Sequence, residues 1–223
     1  GRMMNKSAHA VKEDHHSMPN STRMPPAQAL ERLKAGNARF AANARQVDPH
    51  AFDHAVDEKP IALILGCCDH RVPPDILFDA GLGNLFSIRV AGNIVTPTQL
   101  GSIEFGALTF GPRLLVVIGH QRCGAIQATL RDLIDNQPPG SDHLKAIVDR
   151  MSPACKACCE EHGTDSDFDE LTYAVTINNI KNSIAQLKSE SEILRDLIDN
   201  DGLVIIGAYY NMDSGVVEFF EDE

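Results

Sequence analysis

Short, continuously apolar runs alternate with longer stretches in which apolar residues recur every three or four positions. Ile61-Ala62-Leu63-Ile64-Leu65-Gly66 and Leu114-Leu115-Val116-Val117-Ile118-Gly119 carry no polar side chain, which predicts strands buried on both faces. Leu85 to Val90 predicts another strand and Leu203 to Tyr209 a further one. Val216 to Phe220 predicts a last one, after the turn Asn211-Met212-Asp213-Ser214-Gly215. A helix is predicted from Pro25-Pro26 to about Ala44, with Ala29, Leu30, Leu33 and Phe40 on one face. Others are predicted over Gln99 to Phe110, packing Leu100, Ile103, Phe105 and Leu108, and over Gly124 to Ile134. The remaining helices span His143 to Glu161, Glu170 to Ser189 and Ser191 to Asp199. This alternation predicts an α/β fold: a mostly parallel sheet flanked by helices, with the final hairpin adding an antiparallel edge.

Composition narrows the picture. The 223 residues suffice for one substantial domain, read as 25–223. Residues 1–24 are polar, contain His9, His15 and His16, and predict a flexible tail whose opening Gly1-Arg2-Met3 reads as a cloning remnant. The formal net charge of -11 argues against a nucleic-acid partner, and no apolar run approaches a membrane span. Six cysteines, four of them in two adjacent pairs, do not form a disulfide pattern; a reduced, cytoplasmic setting is expected, with an already removed leader the alternative.

Candidate chemistry sits at the ends of the two most apolar strands. Cys67-Cys68-Asp69-His70-Arg71 follows the first, and His120-Gln121-Arg122-Cys123 closes the second. In open parallel α/β sheets, ligands bind beyond the carboxyl ends of strands. Cys67, His120 and Cys123 together offer zinc two soft sulfurs and an imidazole. Structural zinc takes four protein ligands, so three predict an open, catalytic position. His120 and Cys123 are three apart and predicted to share one helical turn, with Gly119 and Gly124 easing the backbone around the metal. Cys123 is expected to gain from the positive end of the following helix. Two thiolates cancel the charge of Zn²⁺, so a bound water is expected to ionise above the value of about 7 known for three-histidine sites, and activity to rise on the alkaline side. Asp69 and Arg71, one residue apart, are expected to project to the same side. Asp69 then either binds the open position or accepts a hydrogen bond from a zinc-bound hydroxide, with Arg71 clamping it off the metal.

These five positions resemble the β-class carbonic anhydrase signature, Cys-x-Asp-x-Arg followed by His-x-x-Cys. Gly36-Asn37-Ala38-Arg39-Phe40, Val72-Pro73-Pro74, Ile88-Arg89-Val90-Ala91-Gly92-Asn93, Ala174-Val175-Thr176-Ile177-Asn178 and Gly207-Ala208-Tyr209-Tyr210 extend the likeness over roughly residues 26 to 220. The resemblance implies reversible hydration of carbon dioxide to bicarbonate by a hydroxide on one zinc ion per chain. It implies catalytic Asp69 and Arg71, and homodimers or tetramers whose first helix is an arm embracing the partner. It also implies an apolar substrate pocket lined by Phe86 and Phe105, supplied by the neighbouring subunit, with Gly124 beside it; plain core packing is the alternative for the phenylalanines.

Departures from the family pattern mark further expectations. Glu58 stands where many members place a substrate-orienting glutamine, and Phe105 replaces a frequent tyrosine. Cys68 and His70 replace serines: Cys68 reads as a buried inert thiol, with an oxidation liability beside Cys67 the alternative, and His70 as a proton relay or an ordinary exposed histidine. An inhibitory bicarbonate site of Trp, Arg and Tyr has Arg89 and Tyr210 here but Ile64 in the first place, so Asp69 is expected to stay paired with Arg71. Cys155, Cys158 and Cys159 fall on one helical face and read as core, against a second zinc site completed by His162. Two other readings accompany carbon dioxide hydration: a hydrolase of carbon disulfide or carbonyl sulfide, and a thiolate-zinc redox-sensing or storage protein.

Overall fold

The computed structural model describes residues 23–48 and 59–220. Residues 1–22 of the predicted tail and Glu58 lie outside the described residues. Helix α1 (Pro26–Ala41) leads to β1 (Ala62–Gly66), the four-residue α2 (Pro74–Leu77), β2 (Leu85–Arg89) and α3 (Pro97–Thr109). β3 (Leu114–His120), α4 (Gly124–Asp135), α5 (Asp142–His162), α6 (Phe168–Glu190), α7 (Glu192–Asn200), β4 (Val204–Tyr210) and β5 (Val217–Phe220) complete the chain.

The sheet runs β2-β1-β3-β4-β5, parallel throughout except for the antiparallel β4–β5 edge. Its alternation sorts the core into two layers. Ala62, Ile64, Val116, Ile118, Ile206 and Ala208 face α1, α4, α5 and the first half of α6. Leu63, Leu65, Leu115, Val117 and Ile205 face α3, α7 and the second half of α6. Every residue of β1 and β3 is buried, because helices cover both faces.

The strand order positions the site. From β1 the chain moves outward to β2, then returns to lay β3 on the other flank of β1. The carboxyl ends of β1 and β3 therefore diverge, the switch point at which open α/β sheets form their crevice. Register aligns Gly66 with Ile118 and Arg89, which brings Cys67 and His120 to the same edge.

On α1, a Cβ on Gly36 would sit 1.7 Å from the Phe78 carbonyl oxygen, so only glycine permits this approach. Beside it, buried Asn37 donates to the carbonyls of Leu77 and Gly215 and accepts from Val217 N–H. Phe105 departs from its expected place: Ile103, Gly106 and Ala107 form the buried face of α3, whereas Phe105 points away and is 56% exposed.

Candidate metal centre

Cys67 follows β1 directly, His120 ends β3, and Cys123 caps the N-terminus of α4. All three are buried, and their ligand atoms lie within 4.8 Å of one another, the one such group among the described residues. His120 and Cys123 meet through a turn rather than a shared helical turn: Arg122 adopts φ 54, reversing the chain between them. Gly119 serves another purpose than backbone freedom. A Cβ there would lie 2.8 Å from Ile180 and Thr176, so it admits α6 against β3. Gly124 faces open space at the helix N-terminus, with no atom within 4 Å of an added Cβ. It borders a cavity of about 470 Å³ that also touches Ala91, Ala125 and Ile147.

The donor set fits a dication. His120 Nδ1 lies 2.9 Å from the Gln121 carbonyl, which only accepts, so Nδ1 carries the proton and Nε2 keeps its lone pair. That Nε2 is buried without a hydrogen-bond partner among the described residues. A buried orphan nitrogen beside two sulfurs is the arrangement expected of a metal ligand. The hydrogen bond from Cys123 lowers the pKa of the Cys67 thiol despite burial, with help from the Gly92 N–H. The same contact and burial push Cys123 well up, although the N–H groups of Ala125 and Ile126 favour its thiolate. One negative charge thus forms readily, while the second needs a cation between the sulfurs.

Asp69 and Arg71 meet across a tight turn closed by Val72 N–H to the Asp69 carbonyl, rather than along an extended segment. Arg71 donates from its backbone N–H (2.9 Å) and Nε (2.9 Å) to Asp69 Oδ1, and from a terminal nitrogen to Oδ2 (2.7 Å). The guanidinium holds the Asp69 carboxyl well below the usual carboxylate range. Arg89 supports this loop by donating to the carbonyls of Cys67 and Asp69. Ile64 is buried in the sheet, and buried Tyr210 lies with its ring 6.3 Å from Phe40.

Several expectations need revision or extension. Cys68 is exposed, not buried: it lies one residue beyond Cys67, past the end of β1, where Cys67 is the buried member of the pair. His70 is also exposed, its Nδ1 3.7 Å from Asp69 Oδ1. Phe86 and Phe105 cluster with Phe110, ring centroids 5.5–6.3 Å apart, on the β2 flank and not at the metal ligands of their own chain. Cys155 and Cys158 are buried in the core, and burial pushes Cys155 up to about 12, so neither presents a thiolate. Sequence reasoning missed one support. Gln121 accepts from Met212 N–H and donates to Asp213, which also takes a hydrogen bond from Arg122. These bonds lock the ligand loop to the β4–β5 turn.

A buried Cys-His-Cys triad at a sheet switch point, with an aspartate clamped beside it, has the donor set of a three-ligand zinc site with an open position. The chain matches the carbonic anhydrase family model over residues 62–217. It is 34% identical over 202 residues to carbonic anhydrase 2 of Mycobacterium tuberculosis, covering 89% of this chain and 93% of that protein. Carbonic anhydrase of Mycolicibacterium smegmatis is 33% identical, over 90% of this chain and 95% of its own. Among solved structures, a tetrameric β-carbonic anhydrase of the ascomycete Sordaria macrospora superposes with a TM-score of 0.69 at 22% identity, covering 86% of this chain and 96% of that one. The CcaA β-carbonic anhydrase gives 0.66 at 20% identity, over 86% and 95%. The chain belongs to the β-carbonic anhydrase family, zinc enzymes that interconvert carbon dioxide and bicarbonate.

Proposed function

We propose that Cys67, His120 and Cys123 hold the catalytic zinc for carbon dioxide hydration, and that Asp69 and Arg71 orient the attacking water. The observation that carries this reading is the orphaned His120 Nε2 buried beside two sulfurs. Zinc held there supplies a Lewis acid that lets water lose a proton and act as a nucleophile. Arg71 keeps Asp69 ionised and bidentately held, so the carboxylate is a fixed acceptor for the hydrogen of the reacting oxygen. Water adds to the carbon of carbon dioxide, bicarbonate leaves, and one proton passes to solvent.

Carbon dioxide is apolar and needs a dry, uncharged pocket. Phe86 and Phe105 supply that surface from a second copy of the chain, and open space before Gly124 leaves room beside the metal. This reading makes the enzyme a homodimer or tetramer with α1 reaching across the partner. The tetrameric Sordaria relative supports it, as does the exposure of the phenylalanine cluster. We place it in the cytoplasm, a reading supported by six free cysteines; no helix among the described residues is long and apolar enough to cross a membrane. Redox sensing or zinc storage leaves the Asp69–Arg71 pair without a use.

Stopped-flow hydration of carbon dioxide tests the assignment, with Cys67→Ser as control. The wild type is expected to hydrate the gas with one zinc per chain, and the variant to lose both. A fully active Cys67→Ser protein would overturn it.

A further inference from the structure

The turn after β2 reaches across to the metal centre. Gly92 N–H donates to Cys67 Sγ at 3.4 Å. Its backbone is an unusual one: Gly92 has φ 69 and Asn93 φ 43. Left-handed backbone persists where the surroundings fix it. A Cβ on Gly92 would meet Met151 Sδ at 2.4 Å, so α5 closes one side, and the positive φ favours glycine there.

The other side is held by α6. Asn179 Nδ2 donates to the Gly92 carbonyl at 2.8 Å, and Ser183 Oγ to the Asn93 carbonyl at 3.0 Å. The two residues are one helical turn apart, on the same face, and are only 4% and 1% exposed. Burying an amide and a hydroxyl in a helix core is costly unless each is paired. Here both are spent on consecutive carbonyls of one turn, and that turn presents a single N–H to the sulfur of Cys67.

We propose that Asn179 and Ser183 are positioning residues for Cys67, gripping the Gly92–Asn93 turn so that its N–H stays aimed at the Cys67 sulfur. The inference rests on Cys67 being a zinc ligand. An N–H directed at a thiolate draws negative charge from the sulfur and fixes its direction. That matters most in a site where two thiolates already offset the metal charge.

The test uses the full chain with cobalt(II) in place of zinc, read by its sulfur-to-cobalt absorption, alongside zinc affinity from chelator competition. Asn179→Leu removes the donor while keeping a branched side chain. Asn178→Ala is the control, because Asn178 donates to Cys158 Sγ, which is no ligand of the metal. Asn179→Leu is expected to bind zinc ~10-fold or more weakly and to shift the absorption band, whereas Asn178→Ala changes neither. A folded Asn179→Leu protein with wild-type affinity and band would overturn the proposal. Should that variant fail to fold, Ser183→Ala is read in the same way. Absence of a sulfur-to-cobalt band in the wild type would strike at the ligand assignment instead, so the two failures are distinguishable.

Discussion

Asp69 accepts three hydrogen bonds from Arg71 and has little freedom left. Its proposed role as a fixed acceptor predicts that Asp69→Asn lowers kcat/KM by ~10²-fold or more, because an amide can turn a donor toward the reacting oxygen. Arg71→Lys is expected to lower it too, since a point charge cannot reproduce the two-pronged contact. Retention of wild-type kcat/KM in either variant would remove the pair from the mechanism. The guanidinium also keeps Asp69 ionised far into acid, so its protonation does not set the working pH. A pH–rate profile is therefore expected to climb once, on the alkaline side, and a flat one would contradict the two-thiolate site. Cys67, His120 and Cys123 were legible in sequence because their residue types are specific to zinc and the apolar runs place them at strand ends. The side of the chain on which Cys68 lies was not legible, nor was the Gln121–Asp213 lock, whose partners stand 92 residues apart.

Strands were read from the sequence to within a residue, and in β1 and β3 continuous burial leaves an unbroken apolar run. Helix ends shifted more: α1 stops at Ala41 where the period suggested Ala44, and the four-residue α2 is too short to show a period. The anchoring of α1 depends on contacts that no local pattern displays. Gly36→Ala places a methyl inside the Phe78 carbonyl and is expected to destabilise the fold by about 3 kcal/mol, measured by urea unfolding. Buried Asp79 accepts from Arg39 and from the N–H groups of Gln46 and Val47, binding the end of α1 to α2. Burial alone would raise its pKa, but these donors outweigh it and hold the carboxyl below its ordinary value. Its stabilising contribution is thus full above the unfolded pKa of about 4 and is lost as pH falls through the lower folded value. Asp79→Ala is expected to cost about 2–4 kcal/mol at neutral pH and to flatten that acid dependence.

At the scale of the molecule, the sheet order explains how one edge gathers ligands from segments more than fifty residues apart in sequence. It also explains what a single chain does not gather: Phe86 packs with Phe105 and Phe110 in the α3 layer, whereas Cys67 and Cys123 belong to the layer on the other face of the sheet. If a second copy brings this surface to the metal, Phe105→Glu is expected to shift the protein to smaller species in sedimentation and to lower hydration in parallel. Zinc content would stay at one per chain. Unaltered sedimentation would assign the cluster no part in assembly. The most direct test of the whole account is X-ray absorption at the zinc edge of the purified protein. The account predicts two sulfurs at about 2.3 Å, one imidazole nitrogen and one light non-protein ligand. Four protein ligands, or a shell without two sulfurs, would contradict it.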